Sequence, residues 1–163
     1  MIPYFLVIEI ERKFLVKNQI FKSEAIKKQL ITQGYLSSDP KRSVRIRISD
    51  QHAFITVKGK TSANGTSRFE WEKEININDA KQLISLCLEG VIEKIRYLVP
   101  YKNHTFEVDE FLKDNKGLVI AEVELSYENE NFERPIWLGE EVTGIKKYYN
   151  SQLSLNPYRN WQQ

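Results

Sequence analysis

Pairs of like charges recur two residues apart along segments that otherwise alternate between polar and apolar residues. Successive side chains of a β-strand point to opposite faces, so both members of each pair share one face. Two adjacent carboxylates offer the oxygen ligands that hard divalent cations prefer, whereas neighbouring Arg and Lys side chains bind phosphate oxygens. The pattern therefore favours a site for a metal–polyphosphate complex. The pairs are Glu9 and Glu11, Arg45 and Arg47, Lys94 and Arg96, and Glu122 and Glu124.

The charge pairs fall on a series of predicted strands. Period-two alternation predicts strands over residues 5–14, 43–49, 53–60, 68–75, 91–99, 105–111 and 118–127, with an eighth near 132–138. Residues 23–32, 78–88 and 143–153 show capping residues or helical spacing and are predicted helices. Residues 60–67 (KTSANGTS) predict a hairpin loop with Asn64-Gly65 at its tip.

Eight strands can close into a barrel, with amphipathic helices covering apolar patches outside and the charged faces lining a wet interior. The acids on these faces are Glu9, Glu11, Glu72, Asp109, Glu122 and Glu124. The bases are Lys13, Arg45, Arg47, Lys58, Lys94 and Arg96. An antiparallel sheet with one solvated face accounts for the same charges, so the residues alone leave both arrangements open.

Length and composition limit the alternatives. A chain of 163 residues is the size of one domain, which we place over residues 1–163. The formal net charge of +2 lacks the basic excess of a general nucleic-acid binder. The single cysteine, Cys87, excludes an internal disulfide framework and fits a reducing compartment. No apolar run approaches the roughly 20 residues of a membrane span, and no secretory leader is evident, so we expect a soluble, cytoplasmic protein.

A longer series of motifs begins with Glu9-Ile10-Glu11-Arg12-Lys13, a Glu-x-Glu-x-Lys pattern on the first strand. It continues with Gln33-Gly34-Tyr35-Leu36, Arg45-x-Arg47, Thr56-Val57-Lys58, Glu70-x-Glu72, Glu93-Lys94-Ile95-Arg96-Tyr97, Glu107-x-Asp109, Glu122-x-Glu124, and Gly139-Glu140-Glu141-Val142-Thr143 before Lys146-Lys147-Tyr148. This series closely resembles the CYTH superfamily, the triphosphate tunnel metalloenzymes, and most of all its short, single-domain bacterial members. The resemblance extends from about Ile8 to about Leu155. A few extra residues precede the first motif, which in the family begins close to the initiator methionine.

The resemblance implies an α+β fold: an eight-stranded antiparallel β-barrel forms a charged tunnel, with helices packed outside and a C-terminal helix near one mouth. It implies metal-dependent hydrolysis of a triphosphate, most similar to the conversion of inorganic triphosphate to diphosphate and phosphate. A class IV-type adenylate cyclase and a thiamine triphosphatase stay open, because motif spacing does not reveal a pocket for a base or a thiamine ring. Phe54, Tyr97 and Phe111 are the aromatic residues that would serve such a pocket. A polyphosphate-binding module is the non-enzymatic alternative.

The resemblance also implies roles for the charged residues. The six acids would hold Mg²⁺ or Mn²⁺, as two ions. For Glu72 and Asp109, orienting water and pairing with neighbouring bases stay open as alternatives. The six bases would bind the phosphates and stabilise the charge that develops in the transition state. Catalytic roles fall to Lys13, to Tyr35 and, as a donor to the leaving group, to Lys146, with Lys147 as its alternative. The expected partner is a small-molecule triphosphate, with no nucleic acid and no membrane, and a homodimer is compatible with the family.

Overall fold

The computed structural model describes residues 8–161, and within them nine strands form one antiparallel sheet. The strands are β1 Ile8–Val16, β2 Lys27–Ser37, β3 Arg42–Ser49, β4 His52–Gly59, β5 Ser67–Ile75, β6 Ile92–Tyr101, β7 His104–Phe111, β8 Val119–Glu124 and β9 Leu138–Glu141. The helices are α1 Phe21–Glu24, α2 Ile77–Ser85 and α3 Asn150–Leu155, with 3-10 turns at Lys113–Asn115, Lys146–Tyr148 and Tyr158–Asn160. Residues 5–7 of the first predicted strand lie outside the described residues. None of the helices in the described part is long and apolar enough to cross a membrane.

The sheet closes into an eight-stranded barrel because β1 pairs along both of its edges. On one edge β8 pairs with the residues from Glu11 to Leu15. On the other edge β5 pairs with the residues from Ile8 to Ile10, and β9 follows at Phe14. The remaining strands run round the ring in the order β5, β4, β3, β2, β6, β7 and β8. The predicted antiparallel barrel of the α+β class is therefore confirmed.

Most of the apolar core of the molecule lies against the outside of the barrel wall. Ala80 of α2 packs with Ile46 and Ala53, which face outward from β3 and β4. Other outward side chains meet α1 and the long β8–β9 connection, with Phe21 and Trp137 fully buried. Burying a large apolar side chain contributes about 1.5–3 kcal/mol, so these contacts stabilise the wall from outside. A separate apolar cluster lies on the inward strand faces, where Ile92 and Phe111 pack against the fully buried Leu153 of α3. Beyond that cluster, the inward faces of the strands carry mostly polar residues.

The helix predicted over residues 23–32 is wrong. Only the single turn of α1 is helical, and Ala25 is already extended, with φ −69° and ψ 134°. The following residues form β2, whose backbone pairs with β3 on one side and β6 on the other. Closure of the ring requires this strand, so its hydrogen bonds outweigh the local helical spacing. Ile26 and Leu30, which suggested a buried helical face, are exposed.

Gly34, two residues beyond the predicted helix 23–32, lies in the middle of β2. A Cβ atom at this position would lie 2.8 Å from Cβ of Cys87, at the end of α2. Such a distance is shorter than side-chain contacts allow, so Gly34 permits α2 to approach the barrel closely. The glycine marks a close approach of two elements and not the end of one.

The prediction for the C-terminal third was right in part. The eighth strand of the ring is β2. The strand predicted near 132–138 is wrong for residues 132–137, which do not form a strand, and β9 begins only at Leu138, beside β1. The helix predicted over 143–153 is divided into the 3-10 turn Lys146–Tyr148 and α3. Tyr149, with φ −74° and ψ 137°, is extended and separates the two. The helix predicted at 78–88 is α2.

Candidate active site

The barrel encloses a cavity of about 840 Å³, and each of the eight strands contributes side chains to its wall. This arrangement follows from the alternation of the strands, which points every second side chain inward. Twelve of the predicted site residues line the cavity: Glu9, Glu11, Lys13, Tyr35, Arg45, Arg47, Lys58, Glu72, Lys94, Arg96, Glu122 and Glu124. The charged faces of the separate strands therefore do converge on one space.

Two predicted site residues, Asp109 and Lys146, do not line the cavity. Asp109 is 1% exposed and lies behind Lys94 and Arg96. It accepts hydrogen bonds from Lys94 Nζ at 2.6 Å and from Arg96 Nε and Nη2 at 2.7 Å. Of the roles left open for Asp109, pairing with neighbouring bases is the one that these contacts describe.

Lys146 and its alternative Lys147 are both exposed in the 3-10 turn before α3. Lys147 Nζ lies 4.8 Å from the centre of the Trp161 ring and 5.0 Å from that of Tyr148. Neither lysine is brought to the other predicted residues. The next three residues, from Tyr149 to Ser151, reach the cavity wall instead.

Lys13 joins acids from two neighbouring strands. Its ammonium lies 2.8 Å from Glu11 and also pairs with Glu122 of β8. Burial by itself would raise the pKa of Glu122, but Lys13, Arg96 and Lys94 hold that pKa well below its ordinary value. Glu122 is therefore ionised, and its charge is balanced by bases in the wall.

A second group of contacts surrounds Glu9. Lys58 of β4 lies 2.8 Å from Glu9, and Arg68 of β5 lies 3.3 Å from it. Arg68 also reaches Glu11 at 3.4 Å, so one guanidinium bridges the two first-strand carboxylates. Lys58 pairs in addition with Glu70.

On the β3–β5 side of the wall, Arg45 and Arg47 both contact Glu72. The distances to its carboxylate are 3.3 and 3.1 Å, and Thr56 donates a hydrogen bond to it at 2.6 Å. Burial would raise the pKa of Glu72, but Thr56 and the two arginines lower it. The Nε donors of Arg45 and Arg47 are buried and have no hydrogen-bond partner among the described residues. These two Nε donors are covered by the wall, whereas the side chains that carry them line the cavity.

Glu124 has an environment unlike that of the other acids in the wall. Within residues 8–161 it has no ion pair with a basic side chain. Burial raises the pKa of Glu124, and Glu9, Glu107, Glu70 and Glu11 raise it further. A carboxylate surrounded by carboxylates is stabilised by a bound cation.

The acidic side chains of the cavity wall have the chemistry of ligands for a divalent cation. They supply only oxygen donors and an uncompensated negative charge, which are the features that Mg²⁺ and Mn²⁺ prefer. Between Ile8 and Trp161, no three acidic, histidine or cysteine side chains already stand together as the ligands of one ion would. The donor set is therefore present, while its contacts in this structure are with lysines and arginines.

Tyr35 lines the cavity as a buried residue, close to the bases of the wall. Burial raises the pKa of its hydroxyl, although Arg45, Arg68 and Lys13 act in the opposite direction. The hydroxyl therefore stays protonated at neutral pH and can donate a hydrogen bond to a phosphate oxygen.

Several wall residues were not predicted as site residues. Glu107 lies two positions before the predicted Asp109 on β7, and Arg68 lies four positions before the predicted Glu72 on β5. Both therefore share a strand face with a predicted residue, and the alternation of β5 and β7 carried a signal for them. Asn150 gave no comparable signal, because an uncharged residue after a turn resembles any helix start. It enters the wall only because α3 begins there.

Comparison with known proteins agrees with this geometry. Residues 7–154 match the family model of the CYTH domain. The chain is 47% identical to an inorganic triphosphatase of Acetivibrio thermocellus over 156 residues. The matched region covers 95% of this chain and 98% of that protein. It is 35% identical to an inorganic triphosphatase of Nitrosomonas europaea, over 91% of this chain and 97% of that protein. The crystal structure of an inorganic triphosphatase superimposes with a TM-score of 0.65 at 32% identity, over 90% of this chain and 94% of that one.

Proposed function

Because the chain belongs to the CYTH family, as its sequence motifs predicted, we propose that it hydrolyses inorganic triphosphate to diphosphate and phosphate. The cavity wall is the observation that carries this proposal, since seven basic side chains and a cluster of acids face one space. Among the acids, Glu124 has no basic partner within residues 8–161. The basic residues are Lys13, Arg45, Arg47, Lys58, Arg68, Lys94 and Arg96. Both curated relatives are inorganic triphosphatases, which agrees with the predicted enzyme class, a phosphoanhydride hydrolase.

The basic residues bind the three phosphates of the substrate. Arg45 and Arg47 line the cavity and meet the phosphates with their guanidinium groups. A planar guanidinium can hold two phosphate oxygens at once, which fixes the orientation of the polyphosphate. The same donors stabilise the charge that moves to the bridging and leaving oxygens as the terminal phosphoryl group is transferred to water.

The acids of the wall divide into two groups in this proposal. Glu9, Glu11 and Glu124 hold Mg²⁺ or Mn²⁺, with Glu122 as a further ligand. When bound, such an ion neutralises phosphate charge and lowers the pKa of a coordinated water. Glu72 and Asp109 orient the bases that they contact. A divalent metal is implied by the family, and a pair of ions is the finer part of the proposal.

The remaining predicted groups act as hydrogen donors or are left aside. Lys13 and Tyr35 donate to phosphate oxygens from opposite parts of the wall, and Lys13 also keeps Glu11 and Glu122 in place. Lys146 is not assigned a step, because it is exposed outside the cavity. A homodimer and a cytoplasmic location remain predictions from the sequence.

The cavity gives little support to a nucleotide or thiamine substrate. Phe54, Tyr97 and Phe111, which the sequence suggested for a ring pocket, do not belong to the described cavity wall. Tyr97 is instead buried in the apolar cluster outside the barrel, and Phe111 is buried against Leu153 of α3. Inorganic triphosphate needs no such pocket.

The test is phosphate release from inorganic triphosphate, ATP and thiamine triphosphate, each with Mg²⁺ or Mn²⁺, while diphosphate and cyclic AMP are assayed in parallel. We expect metal-dependent release from inorganic triphosphate, with equimolar diphosphate. Glu9→Gln, which removes a charge that we assign to the metal site, should abolish it. Glu74→Gln is the matched control, because Glu74 is exposed and pairs with His52 outside the cavity.

Two results would contradict the proposal. Cyclic AMP from ATP would identify a cyclase. Tight binding of triphosphate without turnover of any substrate would identify a binding module.

A further inference from the structure

One uncharged side chain connects the C-terminal helix to the bases of the cavity. Asn150 Oδ1 accepts a hydrogen bond from Lys94 Nζ at 3.0 Å and a second from Gln33 Nε2 at 3.1 Å. We propose that Asn150 is a positioning residue that fixes the Lys94 ammonium toward the triphosphate, with Gln33 holding the Asn150 side chain in place. This inference rests on the proposed function, since it assigns a role within the same site.

The contacts of Lys94 explain why a second acceptor matters. An ammonium group has three hydrogens, and Asp109 accepts one of them at 2.6 Å while Asn150 accepts another. Lys94 is 1% exposed and lines the cavity, so the third hydrogen is the one left for a phosphate oxygen. With Asp109 alone, the group could turn about a single contact. With both acceptors, its free hydrogen has one direction.

The orientation of the Gln33 amide is determined by the hydrogen bond between Lys94 and Asn150. Lysine is only a donor, so Asn150 must present its oxygen to Lys94, and Gln33 must then present its amide nitrogen to that same oxygen. The Gln33 oxygen is consequently turned away, and it is buried without a hydrogen-bond partner among the described residues. A buried unpaired acceptor costs about 1–3 kcal/mol, so the orientation of Gln33 follows the demand of Lys94 and not its own best contacts.

The position of Asn150 is fixed by the packing of α3. Leu153 of the same helix is fully buried among Ile92, Phe111 and Ile120. These three residues share the inward strand faces of Lys94, Asp109 and Glu122, so α3 packs into one end of the barrel. Asn150 begins α3 immediately after the extended Tyr149, and both residues line the cavity. The core that holds the helix therefore also holds the acceptor beside Lys94.

The main test is Asn150→Leu, which keeps the size of the side chain and removes the acceptor. We expect kcat for inorganic triphosphate to fall about ten- to a hundredfold, as a hydrogen bond to a charged group implies, while KM changes by less than about threefold. Asn150→Asp keeps an acceptor for Lys94, so its kcat should stay near that of the wild type, whereas its added negative charge should raise KM. Gln152→Ala is the control on the same helix, because the side chain of Gln152 makes no hydrogen bond among residues 8–161, and it should leave both constants unchanged.

A double-mutant cycle with Lys94→Met separates positioning from a structural role. If Asn150 acts through Lys94, then Asn150→Leu should have almost no further effect on kcat in the Lys94→Met background. Loss of helix docking would instead reduce activity and the melting temperature in both backgrounds. Equal losses in the two backgrounds, or equal loss of kcat in Asn150→Leu and Asn150→Asp, would overturn the inference.

The outcome can be distinguished from failure of the proposed function. If the wild type does not hydrolyse inorganic triphosphate, the proposed function fails, and the cycle is then read from calorimetric binding of imidotriphosphate, in which nitrogen replaces the bridging oxygens. Coupling between positions 150 and 94 in binding supports the positioning role, and additive effects reject it. Thermal unfolding of every variant shows whether each one is folded.

Discussion

Glu11 and Glu124 lie directly opposite each other on β1 and β8, yet their charges are compensated in different ways. Glu11 contacts Lys13 at 2.8 Å and Arg68 at 3.4 Å. Glu124 has no basic partner in the part of the chain that the structure describes, and burial together with four other carboxylates raises its pKa. The negative charge that a divalent cation would neutralise is therefore concentrated on the β8 side of this pair.

The first prediction concerns Glu124→Gln and stabilisation by metal. A carboxylate whose pKa is raised in the folded state contributes stability below its ordinary pKa and loses it as the pH rises through the folded value. At pH 7 ionised Glu124 is therefore unfavourable without a cation, and we expect the variant to be as stable as the wild type or slightly more stable. The rise in melting temperature on adding Mg²⁺ or Mn²⁺ should be smaller in the variant, because an ion that binds the folded protein more weakly stabilises it less. Glu74→Gln is the control, and an undiminished rise in Glu124→Gln would contradict the assignment.

The second prediction concerns Lys13→Met and the free energy of unfolding. Lys13 is 5% exposed and pairs with Glu11 and Glu122, so its removal leaves buried carboxylates with less compensation. We expect a loss of about 3–5 kcal/mol at pH 7, measured by urea unfolding, whereas Lys17→Met at an exposed position should change it by less than about 0.5 kcal/mol.

The pH dependence of the same variant gives an independent check. In the wild type the lowered pKa of Glu122 contributes stability that is present above its ordinary value of 4.5 and lost as the pH falls below it. This acid-side loss should be smaller in Lys13→Met, because the pKa of Glu122 is no longer held down by Lys13. An identical acid limb in the two proteins would show that Lys13 does not control Glu122.

Most of the strands could be predicted from the sequence because they alternate strictly and their charges fall on one face. Their closure into a barrel followed from the resemblance to the CYTH family, since the residues alone left an open sheet possible. The strand β2 could not be predicted, since Ile26, Leu30 and Ile31 also fit a helical spacing and only pairing with β3 and β6 decides between the two. Such pairing is a property of the closed ring, which no local window contains.

The residues of the candidate site, like the strands, could be predicted from the sequence only in part. Charged residues at alternate strand positions could be recognised in the sequence, and eleven of them line the cavity together with Tyr35. The burial of Asp109 behind Lys94 and Arg96 depends on the depth of the wall and has no signature in the alternation of β7. Asn150 and Gln33 are uncharged, and their roles arise only where α3 meets β2 and β6.

The third prediction concerns Lys94 and the alkaline limb of activity. Burial lowers the pKa of Lys94 to about 8, with Arg96 acting in the same direction and Asp109 opposing it. As the pH rises through this value the free enzyme loses the ammonium charge, so kcat/KM for inorganic triphosphate should fall about tenfold per pH unit above it. Between about pH 8 and 10.5 the unfolded chain keeps a proton that the folded chain has released, so the contribution of Lys94 to stability rises with pH.

The variants that test this prediction are Lys94→Arg and Lys27→Met. Arginine stays charged throughout the range, so Lys94→Arg should be less active but should lack the alkaline limb near pH 8. Lys27 is exposed at the start of β2, and its replacement should leave the limb in place. A limb that persists in Lys94→Arg would assign it to another group.

The fourth prediction concerns the hairpin between β4 and β5. Gly65 at its tip has φ +79°, and a Cβ atom there would lie 2.4 Å from Cα of Gly144. Gly117 has a similar positive φ of +99°, but its Cβ would meet only a ring carbon of Tyr158 at 3.5 Å. Gly117→Ala should therefore cost about 1–2 kcal/mol for the left-handed backbone alone, whereas Gly65→Ala should cost about 1–3 kcal/mol more because the two loops must separate.

Only Gly65→Ala should also affect catalysis. Glu11 donates its backbone N–H to the Thr66 carbonyl at 3.0 Å, so displacement of the hairpin moves a carboxylate that we assign to the metal site. We expect kcat to fall at least about tenfold in Gly65→Ala at a temperature where both variants are fully folded, and to stay near the wild-type value in Gly117→Ala. Urea unfolding and phosphate release measured on the same preparations decide the matter. Equal destabilisation of the two variants would mean that the hairpin does not depend on close contact with Gly144, and the link from the loop to the active site would then fail.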